Sequence, residues 1–192
     1  KSCNFEELYN LISFEGFHIN DLQYIEEELN KSKLSLFYEL CKNDYFKIVD
    51  LLIKNTNINV NFTRKSKSPL MLAIKNANKD LISSLLNSPN IDVNYKYENN
   101  NYYYLRTKTA LICAVEDNNI EIIELLLNNH DIDVNSALES ENVNWVYIRG
   151  LHKTSLHIAI ENNNIEVVKL LLKHPKIDVN SKFIFENDQT DL

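Results

Sequence analysis

One phrase returns four times along the chain: Ile58-Asn59-Val60-Asn61, Ile91-Asp92-Val93-Asn94, Ile132-Asp133-Val134-Asn135 and Ile177-Asp178-Val179-Asn180. A second fixed point precedes each copy. Phe37, Leu70, Leu111 and Leu156 each stand fifteen residues before a leucine, namely Leu52, Leu85, Leu126 and Leu171. These fixed points are 33, 41 and 45 residues apart, which reads as a 33-residue unit with two later insertions of 8 and 12 residues. Self-similarity at such a period is the mark of a repeat architecture.

Each unit holds two short helical patterns. In the third, Leu111, Ile112, Ala114 and Val115 form an apolar stripe, and Ile120, Ile122, Ile123, Leu125, Leu126 and Leu127 form a stronger one. The fourth repeats this from Leu156 to Leu172. Ser68-Pro69 places a hydroxyl cap before a proline at the first helical position, and Thr109 and Thr154 are the matching caps. Asn118-x-x-Glu121 and Asn163-x-x-Glu166 predict capping boxes for the second helices. Asparagine also tolerates a left-handed backbone, so it stands in for glycine, of which the chain has two. Two helices of about ten residues cannot bury both apolar faces, whereas stacked units share one continuous core. The pattern predicts a solenoid.

The openings Ser68-Pro69-Leu70-Met71-Leu72-Ala73, Thr109-Ala110-Leu111-Ile112-Cys113-Ala114 and Thr154-Ser155-Leu156-His157-Ile158-Ala159 resemble the T-P-L-H-x-A motif of the ankyrin repeat. Ile122–Leu127 and Val167–Leu172 resemble its second helix, and the I-D-V-N phrase its closing turn. The resemblance covers about residues 34–192. It implies an all-α solenoid of paired antiparallel helices with β-hairpin fingers. The units are expected at 34–66 (degenerate, with Phe37 and Leu40 at motif positions), 67–107, 108–152 and 153–188. Residues 1–33 read as an N-terminal helical cap of two helices. Residues 189–192 hold Thr190-Asp191-Leu192, the opening of a truncated fifth unit, so the chain is expected to be a fragment of a longer array. Only the fourth unit keeps the motif histidine, His157, which reads as turn-stabilising.

The resemblance implies that partners bind across the concave face and the fingers. The exposed ends of the first helices would be Lys42 and Asn43, Lys75 and Asn76, Glu116 and Asp117, and Glu161 and Asn162. The fingers would be Phe62–Lys67, Tyr95–Lys108 and Ser136–Lys153. The first insertion sets Tyr97, Tyr102, Tyr103 and Tyr104 around Glu98–Asn101, which predicts a hairpin with an asparagine-rich turn. In the second, Trp145 alternates with Val143, Tyr147 and Arg149, with a turn expected near Glu139–Asn142. Tyr, Trp and Arg are enriched at binding hot spots. These aromatics could also stack on one another to order long loops, and both readings stay open.

Charge is uneven: residues 1–33 sum to −4, 34–97 to +4 and 98–192 to −7. Arg64, Lys65, Lys67, Lys42 and Lys75 gather near the second unit; Glu116, Asp117 and Glu161 follow. This predicts a groove basic toward one end and acidic toward the other, able to orient a partner of mixed charge. Freely solvated surface charges are the plainer alternative.

Catalytic chemistry finds no footing. There is no G-x-S-x-G, no H-E-x-x-H, and only Gly16 and Gly150 for a phosphate loop. Cys3, Cys41 and Cys113 lack metal-ligand spacing and cannot complete a disulfide framework, which predicts a reducing, cytoplasmic setting. No apolar run reaches the roughly 18 residues of a membrane span. The net charge of −7 argues against nucleic acid as partner. The expectation is a non-enzymatic scaffold for a protein partner, without cofactor or metal, monomeric apart from end-to-end association through the truncated unit. A targeting module of a larger enzyme or ubiquitin-ligase adaptor is the alternative.

Overall fold

The structure, a computed structural model, describes residues 36–55, 58–63, 67–101, 104–142, 151–182 and 184–185. The expected N-terminal helices and the Thr190–Leu192 opening lie outside the described residues.

Eight described helices form four pairs: α1 (Leu36–Lys42) with α2 (Phe46–Asn55), α3 (Pro69–Lys75) with α4 (Lys79–Leu86), α5 (Ala110–Glu116) with α6 (Ile120–Leu127), and α7 (Ser155–Glu161) with α8 (Ile165–Leu172). Each first helix has seven residues, fewer than the dozen or so an isolated helix needs to be marginally stable in water. Stability therefore comes from stacking. The row α1, α3, α5, α7 packs in succession, and so does the row α2, α4, α6, α8. Phe37, Leu70, Leu111 and Leu156 are buried with Leu52, Leu85, Leu126 and Leu171 in one core running through all four pairs. The small residues Ala73, Ala114 and Ala159, with Leu40 in the first pair, have no exposure, which lets neighbouring first helices approach closely.

The same turn closes every first helix. The amides of Asp44, Ala77, Asn118 and Asn163 donate to the carbonyls of Cys41, Ile74, Val115 and Ile160. The next amides, of Tyr45, Asn78, Asn119 and Asn164, donate to Leu40, Ala73, Ala114 and Ala159. The first residue of each set is left-handed, with φ of 66° at Asp44 and 52° at the other three. Asn118 and Asn163 thus replace glycine as expected. They are not helix caps. The caps are one residue later, at Asn119 and Asn164, whose side chains accept from Ile122 and Val167. The left-handed residue ends one helix before the cap of the next can form, which shifts the expected capping position by one. Ser68, Thr109 and Thr154 cap α3, α5 and α7, and His157 Nδ1 accepts from the Thr154 amide to complete a capping box.

The I-D-V-N phrase acts within and between units. Asn59, Asp92, Asp133 and Asp178 accept from the amide two residues on, forming the turn. The last Asn then reaches the following unit. The Asn94 amide donates to Asp131 O at 2.7 Å and accepts from Asp133 N at 2.8 Å. Asn61 clasps Asn90 and Asp92 in this way, and Asn135 clasps Lys176 and Asp178. The valines beside them, Val60, Val93 and Val134, are 1% exposed, whereas Val179 in the last pair is 60% exposed. Ile160 and Ile165 of the last pair are exposed as well.

Five strands form one antiparallel sheet, in the order β1 (Tyr97–Asn101), β2 (Tyr104–Lys108), β3 (Ala137–Asn142), β4 (Leu151–Thr154) and β5 (Ile184–Phe185). The two long fingers are therefore joined along β2 and β3, pairing Tyr104 with Asn142 and Thr107 with Glu139. Both expected turns move. Glu98–Asn101 belongs to β1, and Asn101 pairs with Tyr104, so the chain reverses after the asparagines. Glu139–Asn142 completes β3 instead of turning. In both places backbone pairing with a waiting neighbour outweighs the weak strand preference of Asn and Glu.

Ala77 alone among the four left-handed residues is neither Asn nor Asp. A Cβ in that region costs about 1 kcal/mol. Ala77→Gly is expected to raise the urea midpoint by about that free energy, and equilibrium unfolding followed by circular dichroism checks it.

Candidate functional site

The first helices end in a row. Lys42, Lys75, Glu116 and Glu161 are their last residues, and Asn43, Asn76, Asp117 and Asn162 follow; all eight are exposed. The Asn76 amide donates to Lys42 O at 3.4 Å, which ties the first helix end to the second. Where the third and fourth units continue the row, the sheet begins beside it. Lys108 and Lys153 each stand immediately before a capping threonine and reach forward to the end of the helix that threonine caps. Lys108 pairs with Glu116, and Lys153 Nζ lies 2.6 Å from both carboxylate oxygens of Glu161. These lysine side chains are under one-fifth exposed, with their stems lying along the fold and their charge at its edge.

The acidic half of the expected groove is thereby partly neutralised within the chain. Glu116 and Glu161 carry ion pairs, and Asp117 is the C-cap of α5, its amide donating to Cys113 O. The basic half differs. Lys67 Nζ lies 5.9 Å from the centre of the Tyr97 ring, a cation–π contact, and Tyr97 packs on the core. Lys75 is exposed. Tyr104 opens β2. Arg64, Lys65, Tyr102, Tyr103, Trp145, Tyr147 and Arg149 lie outside the described residues. Lys108 and Lys153 were missed by sequence reasoning, although their signal was present: each precedes a capping hydroxyl and stands eight residues before a glutamate.

Cys41 is fully buried and Cys113 half-buried. Burial, with Asp44 adding to it, pushes the Cys41 thiol far above its ordinary value. Burial pushes Cys113 up to about 12; Lys108 opposes this, and Glu116 and Asp117 add to it. Neither is a nucleophile near neutral pH. Among the described residues, no group of three or more His, Cys, Asp or Glu side chains is placed to hold a metal ion. Nor is any helix among them long and apolar enough to cross a membrane.

Helix pairs stacked in two rows, with hairpins projecting from one edge, define a helical-repeat solenoid. A family model described as ankyrin repeats, in three copies, matches residues 4–97 and again residues 96–183. The chain belongs to the ankyrin-repeat family, whose members are generally protein–protein interaction modules and typically lack catalytic activity. No curated protein matches the sequence.

The raised Cys113 pKa carries a pH prediction. The folded state holds the thiol proton beyond 9.0, where the unfolded chain releases it. This contribution to stability is full below pH 9.0 and is lost as pH rises toward about 12. The stability difference between the native chain and Cys113→Ala should shrink above pH 9.0, by up to about 1.4 kcal/mol per pH unit, in urea titrations.

Proposed function

We propose that the chain is a non-enzymatic scaffold, built of units at 34–66, 67–107, 108–152 and 153–188, that binds a protein partner across the first-helix row and the aromatic fingers. The observation that carries this reading is the joined sheet. Two loops lengthened by insertion are paired strand to strand beside a row of eight exposed polar residues, so a partner meets a surface ordered before it arrives. Preorganisation of this kind reduces the entropy cost of association. The binding residues are Arg64, Lys65, Lys67, Lys75, Tyr97, Tyr102, Tyr103, Tyr104, Glu116, Asp117, Trp145, Tyr147, Arg149 and Glu161. The setting is the cytoplasm, and the chain is monomeric in dilute solution, with end-to-end contact through the Ile160, Ile165 and Val179 face at high concentration.

An affinity pull-down with the intact chain, repeated with both long fingers shortened, tests the reading. The shortened chain is expected to keep its helical circular dichroism and lose the partner. Trp145→Ala is expected to weaken binding by about 2 kcal/mol or more. Unfolding of the Trp145→Ala and Tyr103→Ala chains would assign the fingers to self-packing instead.

A further inference from the structure

Three units carry a lysine directly before the cap of their first helix: Lys67 before Ser68, Lys108 before Thr109 and Lys153 before Thr154. In the third and fourth units the last residue of that helix is a glutamate, and the lysine is paired with it. In the second unit the same place holds Lys75. No ion pair among the described residues neutralises either Lys67 or Lys75. The neighbouring helix end adds Lys42, whose ammonium is 3.3 Å from Glu39 and whose carbonyl is held by Asn76. The second unit therefore has lysine at both of the places where the later units have a lysine and a glutamate. The Lys67 ammonium lies over the Tyr97 ring, and Tyr97 packs against the core.

We propose that Lys67 and Lys75 receive the carboxylate of an acidic segment of the protein partner, in the place that Glu116 and Glu161 fill from within the chain. Lys153 and Glu161 show what that contact is: an ammonium set between two carboxylate oxygens at 2.6 Å. Tyr97 orients the receiving lysine, and Lys75 supplies a second charge that the later units lack. A chain of net charge −7 repels acidic peptides in general, so such a peptide can bind only where positive charge is concentrated. The inference rests on the protein-binding reading above and names the chemistry of the partner at one end of its surface.

The test uses the full chain and a fluorescently labelled oligoglutamate peptide, followed by polarisation at low salt, with an oligoglutamine peptide of equal length as control. The glutamate peptide is expected to bind and the glutamine peptide not. Lys75→Glu rebuilds in the second unit the pair seen in the third and fourth. It should weaken binding roughly tenfold or more without lowering the melting temperature. Lys173→Glu makes the same change in net charge just past the end of α8 and should leave binding intact. Equal weakening by both variants, unchanged binding by Lys75→Glu, or binding of a phosphoserine peptide in place of the glutamate peptide overturns the inference. If oligoglutamate fails to bind while Trp145→Ala still releases a captured partner, the acidic-segment inference falls and the scaffold reading stands. If oligoglutamate binds through Lys75 while Trp145→Ala releases nothing, the fingers lose their role and the lysine site is kept.

Discussion

The contact between one helix pair and the next is the interaction on which everything else depends. A seven-residue helix backed by one of eight to ten residues offers too little apolar surface to offset the entropy of ordering it. The remedy is repetition. Leu111 and Leu126 are buried only because the second and fourth pairs stand on either side of the third. The exposed Ile160, Ile165 and Val179 show what the same positions look like without a following neighbour described. Apolar contact is tolerant of sliding, so direction must come from something else. The asparagines Asn61, Asn94 and Asn135, which close the first three of these phrases, supply it, by donating to one backbone group of the next unit and accepting from another. Paired bonds of this sort fix distance and angle together.

A stack fixed in this way leaves its edge free to vary. Insertions of eight and twelve residues entered the fingers, where lengthening a connection does not disturb the core, and the two lengthened fingers then paired with each other. The first-helix ends stay exposed beside that sheet. Charge along them is shaped by which lysines find an acid within their own unit. Two do, and among the described residues the one in the second unit does not. The surface is consequently less polarised at its acidic end than the bare sequence suggests, and its basic end stands out more.

Much of this was legible in the residues. The fixed leucines, the hydroxyl caps before Leu70, Leu111 and Leu156, and the asparagines at left-handed positions each have a local cause, and local causes can be read from one stretch of chain. What was misread depends on partners distant in sequence. Asn94 reads as a turn former, and it is one unit away from the backbone it clasps. Glu139–Asn142 has the composition of a turn, and it is a strand because β2 offers it an edge to pair with. The left-handed residue and the cap are adjacent asparagines, so composition could not say which did which.

Hydrogen exchange, read helix by helix on an Ile123→Val chain, tests most directly whether the units stand by leaning on one another. Ile123 is completely buried in α6, and removing one methyl there costs about 1 kcal/mol, close to a fivefold change in an opening equilibrium. If stability is shared, the slowest-exchanging amides of α4 and α8 should exchange about fivefold faster together with those of α6. Faster exchange confined to α6, with α4 and α8 protected as before, would contradict it.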